Sequence, residues 1–200
     1  MSEQRKVVLA TRNKGKVKEF NKLFAQLGWE GISLDEFEGV PEVVEDGDTF
    51  EANAVKKARE ISTYLGMPAV GDDSGLEVDA LGGRPGVYSA RYAGEGATDE
   101  ANWRKLLGEL ADVPAEKRTA RFRCVLALVE PGRDPIIAAG FCEGVIAEEP
   151  RGTNGFGYDP VFYLPQQGKS MAELSPEEKN QISHRAMAMQ NLLSALKSNS

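Results

Sequence analysis

Residues 118–149, RTARFRCVLALVEPGRDPIIAAGFCEGVIAEE, decide the fold class. Two apolar runs rich in β-branched and aromatic residues flank the turn PGRDP, a pattern that predicts a β-hairpin. Upstream, strands alternate with helices instead. KVVLAT (6–11) reads as a short buried strand leading through RNKGK into a helix. On that helix Val17, Phe20, Leu23, Phe24 and Leu27 recur at helical spacing, and Gly28 closes it. GISLDEF (31–37) reads as a second strand. DTFEANAVKKAREISTYLGMP (48–68) reads as a helix capped by Asp48 or Thr49 and stopped by Gly66 and Pro68. Its apolar face is Phe50, Ala54, Ala58, Ile61 and Leu65. PAVG (68–71) and LEVDAL (76–81) read as short strands on either side of an Asp-Asp-Ser-Gly turn. Trp103, Leu106, Leu107 and Leu110 mark a further helix. Ser175, Pro176 and Glu178 open a C-terminal helical region as a capping box with proline in the first turn. Strands joined both by helices and by a hairpin imply a mixed sheet in an α/β domain.

Two hundred residues suffice for one sizeable domain or two small lobes. A hydrophobic content of 41% and a charged content of 28% belong to a globular chain. The net charge of −7 argues against a general nucleic-acid or anionic-membrane binder. An acidic chain still binds a small polyanion, but through a local cluster of Lys and Arg or through a metal. Cys124 and Cys142 match no zinc or redox spacing and lie in strand-like runs, which predicts buried reduced thiols. The N-terminal apolar run is too short for a signal peptide and no segment is long enough to span a membrane, so a cytoplasmic protein is expected.

Four segments offer chemistry. In ATRNKGK (10–16), Thr11 and Asn13 stand where a strand meets a helix N-terminus, whose unpaired N–H groups attract anions. Lys14 and Lys16 add charge and Gly15 allows close approach, which together would cradle a di- or triphosphate. Alternatively, Asn13 only caps a helix with a solvated basic face. It is not a Walker loop, because the glycine spacing and the Lys-Ser/Thr pair are missing. The second segment is Asp72-Asp73-Ser74-Gly75, with EVVEDGDTF (42–50) upstream. Carboxylates favour hard cations, and magnesium takes one or two of them with phosphate oxygens and water; Glu45 is the expected extra ligand. On a solvated turn the same four residues would be commonplace.

The third, GTNGFGYDP (152–160), displays Phe156 and Tyr158 among three glycines. An aromatic beside exposed backbone N–H groups suits a flat heterocycle that is stacked on one face and read along its edge. A wide hairpin loop tucking Phe156 inward would give the same sequence. The fourth, EEKNQISHRAMAM (177–189), holds the single histidine. On one unbroken helix Lys179, His184 and Arg185 point to different faces; a break with Ser183 capping a second helix would let them converge.

In their order and spacing, LATRNKGKVKEF (9–20), GDTFEANAVKKA (47–58), GDDSGLEVDALGGRPGVYSARYAG (71–94), GTNGFGYDPVF (152–162) and EEKNQISHRAMA (177–188) resemble the non-canonical purine nucleoside triphosphate pyrophosphatases, or inosine triphosphate pyrophosphatases. The resemblance implies one domain over residues 1–200: an elongated mixed sheet flanked by helices in two lobes, with the active site in the groove between them. It implies Mg2+-dependent hydrolysis of ITP, dITP, XTP and dXTP to the monophosphate and pyrophosphate, by a homodimer that cleanses the nucleotide pool.

Carried over by position, Thr11, Arg12, Asn13, Lys14, Gly15 and Lys16 resemble the phosphate-binding segment. Asp73 resembles the metal ligand and proton acceptor, Glu45 the second metal ligand, and Ser74 a substrate contact. Phe156, Gly157, Tyr158, Asp159, Lys179, His184 and Arg185 resemble the nucleoside-recognising set. Many relatives carry a carboxylate immediately before Asn53, where this chain has Ala52, and Glu51 points about 100° away around the helix. Magnesium on Asp73 and Glu45, with Asp72 close by, would bridge phosphate oxygens, and Asp73 or Asp72 would orient and deprotonate the water. Lys16, Lys57 and the helix N-terminus would take up charge developing on the leaving pyrophosphate. Donors aimed at the 6-keto position would disfavour ATP, whose amino group leaves them unpaired. Two other readings stay open: a pyrophosphatase for other modified nucleotides, and a sensor that binds a nucleotide without cleaving it.

Overall fold

The computed structural model describes residues 5–198. Its strands form a seven-stranded sheet in the order β2-β1-β3-β4-β5-β6-β7. The strands are β1 (Arg5–Leu9), β2 (Trp29–Ser33), β3 (Ala69–Val78), β4 (Thr119–Val129), β5 (Ile136–Ile146), β6 (Phe162–Leu164) and β7 (Lys169–Ser170). The helices are α1 (Lys14–Ala25), α2 (Phe50–Leu65), α3 (Asp99–Glu109), α4 (Pro176–Ile182) and α5 (His184–Ser198). β1 pairs in parallel with β2 (Val8 opposite Ile32) and with β3 (Val8 opposite Ala69). β6 is antiparallel to both β5 and β7. The sheet is therefore mixed, as the union of helical crossovers and a hairpin requires.

The described residues fall into two compact units. The first lies within Met1–Asp73, Cys124–Gly140 and Arg185–Ser200, the second within Ser74–Arg123 and Phe141–His184. In the first unit the alternation of β1 sends side chains to two faces. Val7 and Leu9 pack with Val70, with Phe20 and Phe24 of α1, and with Ala186, Met189 and Leu192 of α5. Val8 and Ala10 pack with Ala69, Leu34, Val40 and Ile61 of α2. Burying residues such as Phe20 and Phe24 contributes about 1.5–3 kcal/mol each. The core of the second unit joins Leu76 and Val78 of β3 to Trp103 and Leu106 of α3, Leu110 just beyond it, and Phe122 and Phe162.

Helix limits follow local chemistry. The Thr49 hydroxyl accepts from Ala52 N at the start of α2, and Gly66 closes it at φ 65°. Ser175 and Glu178 cap each other's backbone N–H at the start of α4, with Pro176 in the first turn. Ser183 is extended (φ −67°, ψ 155°), so α4 stops there and α5 begins at His184. The helix is therefore broken at Ser183 rather than continuous.

Three expectations need correction. The segment Asp72-Asp73-Ser74-Gly75 is not a turn between short strands but the middle of β3, a ten-residue strand. Cations from α1 and α2 meet its buried acids, so solvent is not needed to stabilise them. The second strand ends at Ser33, whose hydroxyl accepts from Asp35 N and starts a 3-10 turn over Leu34–Glu36. The loop after β5 leads into the short β6 and β7 before the helical region.

Candidate active site

In the first unit, α1 begins where β1 ends. The Asn13 carboxamide accepts from Lys16 N at 3.2 Å, and the Thr11 hydroxyl accepts from Asn13 N at 3.1 Å. Both side chains therefore hold the helix start, and Asn13 acts as the cap. Lys16 turns inward: its Nζ lies 3.0 Å from Asp72 Oδ2 on β3. The basic turn and the twin acids, far apart in sequence, thus meet. Lys14 is exposed and Gly15 half-buried. Arg12 points elsewhere, donating to Asp35 Oδ1 and to the Val40 carbonyl, both at 3.3 Å.

The acids differ sharply in environment. Asp72 is buried, and burial alone would raise its pKa. The charges of Lys16, Lys57 and Arg185 outweigh that and hold the carboxyl well below the usual range, so it stays ionised. Asp73 is pushed up to about 6, first by burial and further by the charges of Glu45 and Asp72; Asn53 and Lys57 oppose the rise. Asn53 Nδ2 donates to Asp73 Oδ2 at 2.9 Å, and its Oδ1 accepts from Gly47 N at 2.7 Å. That pair of bonds fixes the Asp73 carboxylate and ties the Glu45 loop to α2.

One helical turn on from Asn53, the Lys57 ammonium lies 2.5 Å from Glu45 Oε1 and donates to the Asp72 carbonyl at 2.7 Å. Burial would lower its pKa, but Asp72, Glu45 and Asp73 together raise it above the ordinary lysine value. The two backbones meet at Gly71, where a Cβ would lie 2.3 Å from the Ala54 carbonyl oxygen and 2.8 Å from Ala58 N.

These residues fit a hard divalent cation. Their donors are carboxylate oxygens, and the carboxylates of Glu45 and Asp72 help to raise the pKa of Asp73, which a bound cation would offset. Glu45 and Asp73 are the two acids that could hold such an ion, which suits Mg2+, since it leaves most of its positions to water and phosphate. Among the described residues no three His, Cys, Asp or Glu groups gather into a metal-binding cluster. Ala52 is exposed on the first turn of α2.

Arg185, at the start of α5, is buried and donates to Glu19 Oε2 of α1 at 2.9 Å. Glu19 and Asn53 were not singled out by sequence reasoning as site residues. A signal for Asn53 existed: with Lys57 it forms a polar i, i+4 pair beside the apolar stripe of α2.

The second unit holds the remaining predicted residues. Lys179 Nζ of α4 donates to Asp159 Oδ2 at 2.8 Å, and both side chains are buried. The same ammonium lies 4.7 Å from the centre of the Phe156 ring, a cation–π distance. Asp159 Oδ2 also accepts from Phe156 N at 3.1 Å, while Gly157 N donates to Asp99 Oδ2 at 2.9 Å. Two amides expected to face a ligand are therefore engaged within the chain. His184 is buried and stacks on Phe122, with ring centres 4.9 Å apart and planes at 19°. Ser74 is half-buried on β3. Tyr158 departs from expectation: it is not displayed on the loop but buried in the core, its hydroxyl donating to the Ser89 carbonyl at 2.6 Å. A tyrosine buries its ring well when its hydroxyl has such a partner.

Residues 7–195 match the Ham1 family. A curated relative from Geobacillus kaustophilus, named dITP/XTP pyrophosphatase, is 60% identical over 188 residues, covering 94% of this chain and 92% of its own. A relative of the same name from Shouchella clausii is 57% identical over 183 residues, covering 92% of each chain. Among solved structures, a HAM1 protein from Coxiella burnetii superposes with a TM-score of 0.87 at 45% identity, covering 97% of this chain and 99% of the other.

Proposed function

The chain belongs to the Ham1 family, and from that premise we propose that it hydrolyses dITP, ITP, XTP and dXTP to the nucleoside monophosphate and pyrophosphate. The observation that carries this reading is the meeting of Lys16, from the start of α1, with Asp72 at 3.0 Å, next to Asp73. A triphosphate needs a cationic cradle, and its hydrolysis needs a carboxylate to handle the attacking water. The contact is what such a site requires.

The roles follow from chemistry. The N-terminus of α1 and the Lys16 ammonium take the phosphate charge, and Lys57 takes up the charge that develops on the leaving pyrophosphate. Asp72, ionised and buried, keeps Lys16 in place. Asp73 orients the attacking water and accepts its proton, with one carboxylate oxygen held by Asn53. Glu45 and Asp73 would hold Mg2+, which supplies Lewis-acid polarisation of the phosphate oxygens when bound. For the base the reading names Phe156, Lys179 and His184 of the second unit, with Phe156 offering its ring face.

We place the enzyme in the cytoplasm as a homodimer. Its cysteines are buried as thiols, and no helix among the described residues is long and apolar enough to cross a membrane.

The test is pyrophosphate release in the presence of Mg2+. The kcat/KM for ITP or XTP should exceed that for ATP by about 100-fold or more, since a buried donor aimed at the 6-keto oxygen is left unpaired by an amino group. Equal rates would refute the reading.

A further inference from the structure

We propose that Asp99 is a positioning residue for nucleobase selection, holding the 155–159 loop so that Phe156 presents its ring to the base. This rests on the reading of Phe156 as a nucleobase platform. The loop is fastened residue by residue in the second unit. Gly155 has φ 76°, and a Cβ there would fall 2.1 Å from Asp159 Oδ2, so that carboxylate fills the space any side chain would occupy. The same oxygen accepts from Phe156 N. Gly157, at φ 62°, donates its N–H to Asp99 Oδ2 at 2.9 Å, across 58 residues of sequence. Tyr158 is anchored through its hydroxyl to Ser89.

Phe156 is therefore bracketed by two carboxylates, Asp159 on its own amide and Asp99 on the next. Asp159 is also committed to Lys179. Asp99 has a different standing. It occupies the first position of α3, a helix whose start is already capped by the Thr98 hydroxyl accepting from Ala101 N, and its own side chain is exposed. An exposed acid at a helix start is ordinarily a modest dipole effect. Here the carboxylate reaches out of its helix to the glycine that follows the only loop aromatic left outside the core. Without that acceptor the left-handed Gly157 gains alternative conformations, and the ring loses its fixed plane. A platform that must be ordered at each encounter binds more weakly, and it discriminates less because the base edge is no longer set against fixed donors.

The test compares Asp99→Ala with Asp99→Asn in the Mg2+-supported ITP and ATP assays. Removing the acceptor should raise KM for ITP by about tenfold with kcat within about twofold, because a lost hydrogen bond of this kind is worth about one power of ten. The ITP/ATP ratio of kcat/KM should narrow with it. Asp99→Asn keeps an acceptor oxygen and loses the charge, so it should restore KM to within about twofold of the original; a helix-dipole role would leave both variants alike. Urea midpoints for both variants establish that each is folded. An unchanged KM in Asp99→Ala, or equal impairment of the two variants, overturns the proposal. Phe156→Ala serves as the separate control: an unchanged KM there removes the platform itself, and the proposal with it.

Discussion

Replacing the proposed proton acceptor, Asp73→Asn, should make the metal-free protein more stable at neutral pH while abolishing turnover. The folded-state pKa of Asp73 is about 6 against an ordinary value of 3.8, raised chiefly by burial. Below pH 3.8 the group is neutral in both folded and unfolded chains and makes no difference to stability. As pH rises through about 6, the unfolded chain releases the proton first, so stability is lost across that window. A gap of roughly two pH units, at about 1.4 kcal/mol each, amounts to about 3 kcal/mol of destabilisation at pH 7. The side chain is only 7% exposed, so solvent screening removes little of this. An asparagine carries no charge, and Asn53 can still donate to its oxygen.

The measurement is urea unfolding of both proteins in EDTA at pH 4 and pH 7. At pH 7 the variant should be about 1–3 kcal/mol more stable, equivalent to roughly 3–10 °C in Tm for a chain of this size. At pH 4 the gain should fall to about 0.5 kcal/mol or less. Adding Mg2+ should stabilise the original protein more than the variant, closing the difference. A variant no more stable than the original at pH 7 in EDTA would refute the electrostatic account of the site. A gain that persists unchanged at pH 4 would do the same.

Lys16→Met removes a cation 3.0 Å from the buried Asp72 carboxylate and should cost about 2–4 kcal/mol at pH 7. Because Asp72 is held below the usual carboxylate range, that cost should shrink as pH falls and the acid protonates; a urea series showing under about 0.5 kcal/mol at pH 7 would contradict it. Tyr158→Phe keeps the ring in the core and should lower stability by about 1–2 kcal/mol through loss of the bond to Ser89, with a smaller effect on KM for ITP than Asp99→Ala has. A large rise in KM instead would return Tyr158 to the substrate surface.

Local signals carried much of the fold. Thr49 and Gly66 bound α2 because capping chemistry acts within a few residues, and Ser175, Pro176 and Glu178 start α4 for the same reason. β3 was less legible. Adjacent aspartates read as a turn, since nothing nearby in sequence neutralises them; their cations, Lys16 and Lys57, come from helices that only the fold brings alongside. β6 and β7 are too short to show a period. The acids and bases of the site were legible as residue types in suggestive contexts. Their partners, Asn53, Glu19 and Asp99, were not, because an asparagine or acid on a helix looks the same whether it faces water or holds a neighbour.

Gly71 sets the closeness of strand and helix, and that contact leaves no slack. Adding even a methyl group would wedge α2 away from β3. Asn53 and Lys57 ride on one rigid rod, so they would retreat together, detaching the orienting amide and the ammonium in a single event. Orientation of the water-handling acid and charge uptake are thus mechanically ganged. Sequence drift can tune either function through its own side chain, but it cannot relax the spacing beneath them without forfeiting both.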